Sequence, residues 1–382
     1  MIVKHLKLKN WKNFKNVSVD LTERVFLAGP NASGKSNFLD AFRFLRDIAK
    51  PGGGLQNAVS DRGGISKIRC LSARQYPDVE IEVVLSDDSS NGLKWKYGIG
   101  IKQETRGYRQ PYITYEYVER GDKRILDRPT EADEKDQMRK TETHLEQINA
   151  NQEFREIAKF FGAINYLHVV PQLVRNPEAF SGPNIPGDPF GRNFLERLAK
   201  TNERTRRSRL KKIESALRIA VPQLRELAFT KDETGFPHLE AVYDHWRPKA
   251  GKQREDQFSD GTLRLIGLLW SLLEGESLLL LEEPELSLNG AIVSKLAPLI
   301  YRLQQQRKRQ VIISTHSFDL LSEKGIGPEE VLLLKPTPEG TEVVNALSSR
   351  EIIALLEGGM TIGDAIVPHV TPEKVQQFDL FK

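Results

Sequence analysis

The stretch Gly29-Pro-Asn-Ala-Ser-Gly-Lys-Ser36 decides the fold, because it matches the phosphate-binding pattern G-x-x-x-x-G-K-[ST] at every fixed position. The apolar residues 24–28 before it predict a short strand. Residues 35–50 after it carry apolar side chains at helical spacing and predict a helix. Strand, glycine-rich turn and helix N-terminus are the setting that this motif requires. The sequence therefore predicts that the chain binds a nucleotide.

The chemistry of this loop assigns a role to its residues. Glycines let backbone N–H groups close around phosphate oxygens, and the dipole of the following helix adds positive potential. We expect Lys35 to reach the β- and γ-phosphates of ATP and the Ser36 hydroxyl to bind Mg²⁺. The residues expected to contact the nucleotide are Gly29, Pro30, Asn31, Ala32, Ser33, Gly34, Lys35, Ser36 and Asn37.

An acidic partner for Mg²⁺ follows a second apolar strand. Residues 277–285 read Ser-Leu-Leu-Leu-Leu-Glu-Glu-Pro-Glu, and Glu282 and Glu283 come where the strand ends, at the edge where α/β sheets bind ligands. We expect Glu282 to hold Mg²⁺ through water and Glu283 to act as the general base that polarises the attacking water. The alternative is a buried strand that ends in solvated acids, and the phosphate-binding loop favours the metal site.

Two further segments fit such a site. Residues 311–317, Val-Ile-Ile-Ser-Thr-His-Ser, end another apolar strand, and His316 there can donate to a γ-phosphate and sense its loss. Ser259, Asp260 and Gly261 open a strongly apolar helix, where backbone donors can face an anion. The alternatives are a structural histidine and a capped, buried helix.

Composition places the chain among ordinary globular proteins. Its 382 residues are 39% hydrophobic and 28% charged, with a net charge of +4. Apolar runs stay well short of the roughly 20 residues that span a bilayer, so we expect no membrane association. The single cysteine, Cys70, excludes an intramolecular disulfide framework and a cysteine-based zinc site. A reducing, cytoplasmic location is expected.

Hydrophobic periodicity divides the chain into four parts. Between residues 67 and 127 the period is two, which predicts an antiparallel meander with a loop at 86–92. Continuously apolar strands between helices predict a parallel sheet covered on both faces. The predicted parts are an N-terminal lobe (1–127), a helical or insert region (128–254), a C-terminal lobe (255–350) and a helical tail (351–382).

Within the insert region three features are predicted. Residues 128–150 are charged and poor in apolar side chains, so we expect an exposed helix or a mobile segment there. A buried strand is expected at 163–170 and a loop rich in proline and glycine at 176–191.

In this order, the motifs resemble the ABC-type ATPase heads of the SMC, Rad50 and RecF group, and are closest to small bacterial AAA family, RecF-like and OLD-related ATPases. The resemblance covers about 1–70 and 255–335. It implies an α/β P-loop NTPase fold: a two-lobed head with a parallel core sheet, an antiparallel meander and inserted helices. It also implies ATP and Mg²⁺ as cofactors and hydrolysis of ATP.

The resemblance further implies that two heads pair around ATP, giving a homodimer or a higher even oligomer. Ser259, Asp260 and Gly261 would then contact the nucleotide of the other copy. Glu283 would be the base and His316 the switch histidine. A glutamine between the lobes usually touches the metal and the water, and Gln172 is the candidate for this role.

Departures from the group's pattern change some expectations. Glu282 stands where the group usually has Asp, which can slow turnover, and Ser-Asp-Gly-Thr at 259–262 argues against a transporter subunit. Leu-Ser-Leu-Asn-Gly at 286–290 replaces the common Leu-His-Pro. Because no long coiled coil is indicated, we do not expect an SMC-type DNA clamp, and we expect a small helical tail and no TOPRIM nuclease domain after about residue 350. By resemblance we expect a separate effector protein, such as a TOPRIM-type nuclease or a toxin, in bacterial defence or DNA repair.

A basic segment at residues 192–212 raises the hypothesis that the chain contacts DNA. Residues 192–212 hold nine Lys or Arg and two Glu, which suits contact with nucleic-acid phosphates or, alternatively, a solvated helix face. For the whole chain, the main hypothesis is an ATPase that acts on DNA or on an effector. The competing one is an ATP-gated scaffold with little hydrolysis. A GTPase or a small-molecule kinase is disfavoured, since the chain has no Asn-Lys-x-Asp motif.

Overall fold

The computed structural model describes residues 1–73, 77–87, 94–104, 109–179, 188–245 and 251–371. Parts of the predicted loops at 86–92 and 176–191, and residues 372–382 of the predicted tail, lie outside them. The strands are β1 (Ile2–Trp11), β2 (Phe14–Asp20), β3 (Arg24–Ala28), β4 (Val79–Ser86), β5 (Lys94–Gln103), β6 (Pro111–Arg120), β7 (Lys123–Arg128), β8 (Asn165–Leu167), β9 (Leu224–Lys231), β10 (Pro237–Tyr243), β11 (Lys252–Arg254), β12 (Leu279–Glu282), β13 (Val311–Thr315), β14 (Val331–Thr337) and β15 (Gly340–Asn345). The helices are α1 (Lys35–Ala49), α2 (Leu55–Ser60), α3 (Ile65–Ile68), α4 (Glu131–Lys135), α5 (Arg155–Gly162), α6 (Pro171–Arg175), α7 (Phe194–Lys200), α8 (Glu203–Ala220), α9 (Asp260–Leu273), α10 (Gly290–Val293), α11 (Leu296–Arg307), α12 (Phe318–Leu321), α13 (Arg350–Glu357) and α14 (Ile362–Val370).

A six-stranded core sheet has the order β15-β14-β3-β13-β12-β8. The five strands from β14 to β8 run parallel, and β15 pairs with β14 antiparallel. The loop at 29–36 leaves β3 and enters α1, as predicted. Because β3 lies between β14 and β13, residues from both ends of the chain build the centre of the sheet.

Alternating side chains of the core sheet enter two hydrophobic cores. Leu280 of β12 and Ile312 of β13 belong to the core that contains α1, whereas Leu281 and Ile313 belong to the core that contains α9. Helix α9 is buried almost all round, with eleven of its fourteen residues inside. The predicted parallel sheet covered on both faces is therefore present.

A second six-stranded sheet, of order β2-β1-β4-β5-β6-β7, is antiparallel throughout. It packs on α1 through aromatic side chains: Trp11 lies 5.2 Å from Phe44 and Phe14 lies 6.2 Å from Phe38, between ring centroids. The Trp11 indole also donates to the Asn37 carbonyl at 2.8 Å. These contacts fix the first turn of α1, and with it the end of the phosphate-binding loop.

The segment 128–150 holds the short, mostly exposed helix α4, as predicted, but buried charges also tie it to the rest of the fold. Arg128 is buried and forms ion pairs with Glu116 at 3.0 Å and Asp133 at 2.9 Å, and both carboxylates are fully buried. The backbone N–H of His144 also donates to Glu116 at 2.7 Å. Removing one partner of a buried ion pair costs about 3–5 kcal/mol, so this network ties the segment to β6.

The rest of the predicted insert region contains both helices and strands. Its first strand, β8, is the edge strand of the core sheet, and β9, β10 and β11 form a separate three-stranded sheet. The strand predicted at 163–170 ends at Leu167, because His168 and Val170 donate their N–H groups to the carbonyls of Pro189 and Phe190. The tail continues as α13 and α14. Among the described residues, no helix combines the length and apolarity needed to cross a membrane.

Candidate functional site

Three neighbouring parallel strands bring the predicted site residues to one edge of the core sheet. Ala28 at the end of β3 pairs with Thr315 at the end of β13, and Ser314 pairs with Glu282 at the end of β12. The loop at 29–36, the residue His316 and the pair Glu282–Glu283 therefore leave the sheet side by side. Residues almost 290 positions apart in the sequence meet here, as the carboxyl ends of parallel strands do.

The backbone of the phosphate-binding loop requires its glycines. Gly34 has φ = 97°, and a Cβ atom there would lie 2.1 Å from Nδ2 of Asn13. That same Asn13 amide donates to the Ser33 carbonyl at 3.0 Å and accepts from the Asn37 amide at 2.8 Å. Asn13 thus braces the loop from the turn between β1 and β2, a role that the sequence analysis missed.

Lys35 begins α1, and its side chain folds back over the loop. Its ammonium group donates to the carbonyls of Gly29 at 2.9 Å and Pro30 at 3.1 Å, and it lies 3.3 Å from Nδ1 of His316. Burial lowers the pKa of Lys35 to about 8, while the neighbouring carboxylates, Glu283 first among them, raise it. The amine therefore stays mostly charged near neutral pH, as a phosphate-binding lysine must.

Ser36 and Glu282 form the pair expected to hold a metal ion. The Ser36 hydroxyl donates to Oε1 of Glu282 at 2.5 Å, and the hydroxyl of Tyr166 on β8 donates to Oε2. A serine hydroxyl and one carboxylate, with room for phosphate oxygens and water, are the donors that Mg²⁺ takes at nucleotide sites. The residues present therefore fit Mg²⁺. Tyr166 is a second residue that the sequence analysis missed.

Glu283 faces His316. Nε2 of His316 lies 2.8 Å from Oε1 of Glu283, and this hydrogen bond, more than any other effect, lowers the pKa of the Glu283 carboxyl. The backbone of Glu283 has φ = 45°, in the left-handed region that costs a non-glycine residue about 1–3 kcal/mol. Its N–H donates to the Ser314 carbonyl at 3.0 Å, which keeps this conformation in place. Glu283 is thus an ionised carboxylate fixed beside the loop, and an ionised carboxylate can accept a proton.

Glu285 holds the histidine in position. It is buried, and its Oε1 accepts from the Thr315 hydroxyl at 2.5 Å and from the His316 N–H at 3.1 Å. Burial raises the pKa of this carboxyl. The sequence analysis quoted Glu285 as part of Glu-Glu-Pro-Glu but gave it no role. The carboxylate at that position anchors the end of β13.

The segment Ser259–Gly261 lies against the loop at 286–290. The Ser259 hydroxyl accepts from the Thr262 N–H at 3.2 Å and caps α9, and the Ser259 side chain is exposed. A Cβ atom at Gly261 would lie 2.5 Å from the Ser287 carbonyl oxygen, so this close approach requires glycine. Asp260 pairs with Arg175 at 2.6 Å. Ser259 is therefore the exposed residue at the N-terminus of α9, while Asp260 and Gly261 pack against neighbouring segments.

Gln172 lies on the chain segment that follows β8, the strand of Tyr166. It lies in the short helix α6 and is exposed. Two other side chains from this part of the chain reach Glu282: the Tyr166 hydroxyl donates to its carboxylate, and Nδ1 of His168 lies 3.2 Å from its carbonyl oxygen. Gln172 comes four residues after His168, and α6 begins at Pro171. Its role as a metal and water contact stays a prediction.

In the basic segment at 192–212, some Lys and Arg side chains contact the rest of the protein and others are exposed to solvent. Arg197 pairs with Glu274 at 2.7 Å, Arg206 donates to carbonyls at the end of α7, and Arg209 lies 5.0 Å from the Trp270 ring centroid. Exposed side chains remain at Arg204, Arg207, Lys211 and Lys212 of α8. Fewer cations are thus free to face a partner than the sequence alone indicated.

Comparison with known proteins gives one family match. The family described as AAA_21 (AAA domain, putative AbiEii toxin, Type IV TA system) matches residues 24–323. A comparison with curated proteins gave no match.

Solved structures of SMC heads resemble the chain. An SMC head bound to the C-terminal winged-helix domain of ScpA is 15% identical, with a TM-score of 0.54, over 90% of this chain and 98% of that one. An SMC head with an extended coiled coil, bound to the C-terminal domain of ScpA derived from Pyrococcus furiosus, is 15% identical, with a TM-score of 0.50, over 93% and 98%. At this identity the likeness shows the fold, and the predicted α/β P-loop NTPase fold is confirmed.

Proposed function

Because the chain belongs to the AAA_21 family (AAA domain, putative AbiEii toxin, Type IV TA system), an ATPase family with the fold of SMC heads, we propose that it binds ATP with Mg²⁺ and hydrolyses it. The predicted resemblance to ABC-type ATPase heads of the SMC group is thereby confirmed. One observation carries the proposal: Lys35, the Ser36–Glu282 pair and the Glu283–His316 pair meet at the ends of three adjacent parallel strands.

Each group at this edge has a defined part in the proposed reaction. Backbone N–H groups of the loop and the Lys35 ammonium bind the phosphates. Ser36 and Glu282 would hold Mg²⁺, which when bound neutralises negative charge on the phosphates. Glu283 orients the attacking water and accepts a proton from it, while Nε2 of His316 donates a hydrogen bond to the carboxylate and holds it in place. His316 also touches Lys35, so it is in contact with both the phosphate-binding and the water-activating residues.

Dimerisation around ATP is the second part of the proposal. The exposed Ser259 hydroxyl lies at the N-terminus of α9, the positive end of the helix dipole, and the loop at 286–290 packs against it. We propose that this surface meets the γ-phosphate in the site of a second copy. Hydrolysis then separates the two copies, because the phosphate that joins them is released.

The dimer predicts a specific effect of Ser259→Arg. The larger, charged side chain should block the approach of a second copy, while ATP binding to the chain's own loop stays within about twofold. We expect added ATP to shift the wild type from monomer to dimer, under conditions where little ATP is hydrolysed during the measurement. The variant should stay monomeric. Size-exclusion chromatography with light scattering measures this. Ser208→Arg, an exposed change on α8, is the matched control.

Results of this experiment separate the remaining hypotheses. If adding ATP left the oligomeric state of the wild type unchanged, the result would contradict the proposed dimer. A wild type that dimerises with ATP but hydrolyses it no faster than background would favour the ATP-gated scaffold. In either case, whether a single copy of the chain binds ATP is decided by the ATP-binding measurement, independently of dimerisation.

DNA contact is proposed on the outward face of α8. Arg204, Arg207 and Lys211 are spaced three and four residues apart, so they share one face of the helix. Each cation that neutralises a DNA phosphate contributes about −0.9 to the slope of log K against log salt. Reversing all three to Glu should lower the magnitude of that slope by about 3 in fluorescence-anisotropy titrations with duplex DNA. Reversal of the exposed Lys123, Lys135 and Lys324 is the control, and equal losses in both would refute a specific surface.

A separate effector protein is proposed as the partner of the dimer. The family description names a toxin of a toxin–antitoxin system, and the similar SMC heads are bound to a domain of ScpA. Both support a head that works together with another protein. Co-purification from the native host with ATP present tests this, and recovery of the chain alone would count against it.

A further inference from the structure

Tyr166 lies beside the carboxylate expected to bind the metal. It is the middle residue of β8, and only 4% of the residue's surface is exposed. Its hydroxyl donates to Oε2 of Glu282, while Oε1 of the same carboxylate accepts from Ser36 at 2.5 Å. The two oxygens of Glu282 are therefore held from two sides, by β8 and by the first turn of α1.

Strand register explains why the tyrosine reaches this carboxylate. Tyr166 pairs with Leu280, and Glu282 follows Leu280 by two residues. Because side chains two residues apart on a strand point to the same face, Leu280 and Glu282 share the face on which Tyr166 lies. The length of the tyrosine ring spans the remaining distance along the edge of the sheet.

The ring of Tyr166 also contacts α1. The guanidinium carbon of Arg43 lies 4.2 Å from the ring centroid of Tyr166. Arg43 in turn lies 3.8 Å from Asp40, one turn earlier on α1, and Arg62 holds both oxygens of Asp40 at 2.9 Å. These buried contacts leave the tyrosine little freedom to turn away from Glu282.

We propose that Tyr166 is a positioning residue for Mg²⁺ binding, which holds Oε2 of Glu282 so that Oε1 faces Ser36. This inference rests on the proposed function. A glutamate has one more rotatable bond than the aspartate usual at this position in the resembling group, and the tyrosine removes that freedom. Partners of metal ligands commonly act in this way, and their loss costs about 10–100-fold in metal affinity or activity.

Tyr166→Phe tests the inference, since it removes only the hydroxyl. Binding of a fluorescent ATP analogue is followed by anisotropy while Mg²⁺ is titrated. We expect the Mg²⁺ concentration at half-saturation to rise about 10-fold. Analogue binding in EDTA and the melting temperature should change little. Tyr115→Phe is the matched control, because its hydroxyl donates to Glu80 at 3.2 Å on the antiparallel sheet. An unchanged Mg²⁺ requirement in Tyr166→Phe would overturn the proposal.

A second variant tests whether the hydroxyl acts through Glu282. Glu282→Asp shortens the side chain and draws the carboxylate away from β8. If Tyr166 works by holding that carboxylate, Tyr166→Phe should add less than about twofold to the Mg²⁺ requirement of Glu282→Asp, because the two changes remove one interaction. Fully multiplicative effects would overturn the inference. A wild type that binds no analogue at any Mg²⁺ concentration would instead overturn the proposed function.

Discussion

Lys35→Ala should abolish saturable ATP binding in the micromolar range. The lysine ammonium makes two hydrogen bonds to loop carbonyls, at 2.9 and 3.1 Å, and lies where phosphate oxygens would bind. Hydrogen bonds to a charged group are worth about 1.5–3 kcal/mol each, so losing two to phosphate oxygens weakens binding by roughly 10²–10⁴-fold. Titration of a fluorescent ATP analogue with Mg²⁺ measures the loss.

The control for this change lies on the same helix. Lys50 follows the last residue of α1 and pairs with Asp47 at 3.0 Å, far along the helix from the loop. Lys50→Ala should bind ATP as the wild type does. Circular dichroism should show both variants folded. If Lys35→Ala bound the analogue with unchanged affinity, the loop at 29–36 would not be the phosphate site.

Glu283→Gln should lower the rate of ATP hydrolysis by about 10²–10⁴-fold, which is the usual contribution of a general base. The amide cannot accept the proton of the attacking water, yet its oxygen can still accept a hydrogen bond from His316. ATP affinity should therefore stay near that of the wild type. Because release of phosphate is blocked, the variant should accumulate as an ATP-bound dimer. Steady-state hydrolysis and light scattering measure the two effects.

Glu276→Gln is the matched control, since Glu276 is exposed and lies just before the opposite end of β12. It should hydrolyse ATP at the wild-type rate. Wild-type turnover in Glu283→Gln would remove Glu283 as the base. If Glu283→Gln lost both ATP binding and ATP hydrolysis, the result would instead show that Glu283 supports the loop through His316.

Motif residues at strand ends could be predicted from the sequence because two local patterns coincide there. The glycine and lysine spacing at 29–36 defines a backbone shape, and continuous apolar runs before Glu282 and His316 define buried parallel strands. Their meeting at one edge then follows from the topology of parallel sheets. These patterns predict the path of the main chain, and that path determines where the side chains at the strand ends lie.

The supporting residues could not be predicted because they act across the fold. Asn13 reaches the loop from a different sheet, and Tyr166 is the centre of a three-residue strand that carries no motif. Arg128 and Asp133 read as a solvated charged segment, although Glu116 neutralises the arginine in the interior. Pairing between distant charges leaves no periodic signal in the sequence. The same reason made the nine cations at 192–212 look more available than they are.

The place of β3 in the core sheet sets the order in which the protein can fold. Its two neighbours, β13 and β14, come about 280–300 residues later in the chain. At roughly 5–20 residues added per second, β3 emerges from the ribosome on the order of 15–60 s before either neighbour exists. Contacts of such long range close slowly, because the loop entropy is lost before the pairing is gained. The nascent chain therefore carries its phosphate-binding sequence without a phosphate site until translation has passed the middle strands, and the ability to bind a nucleotide is acquired last.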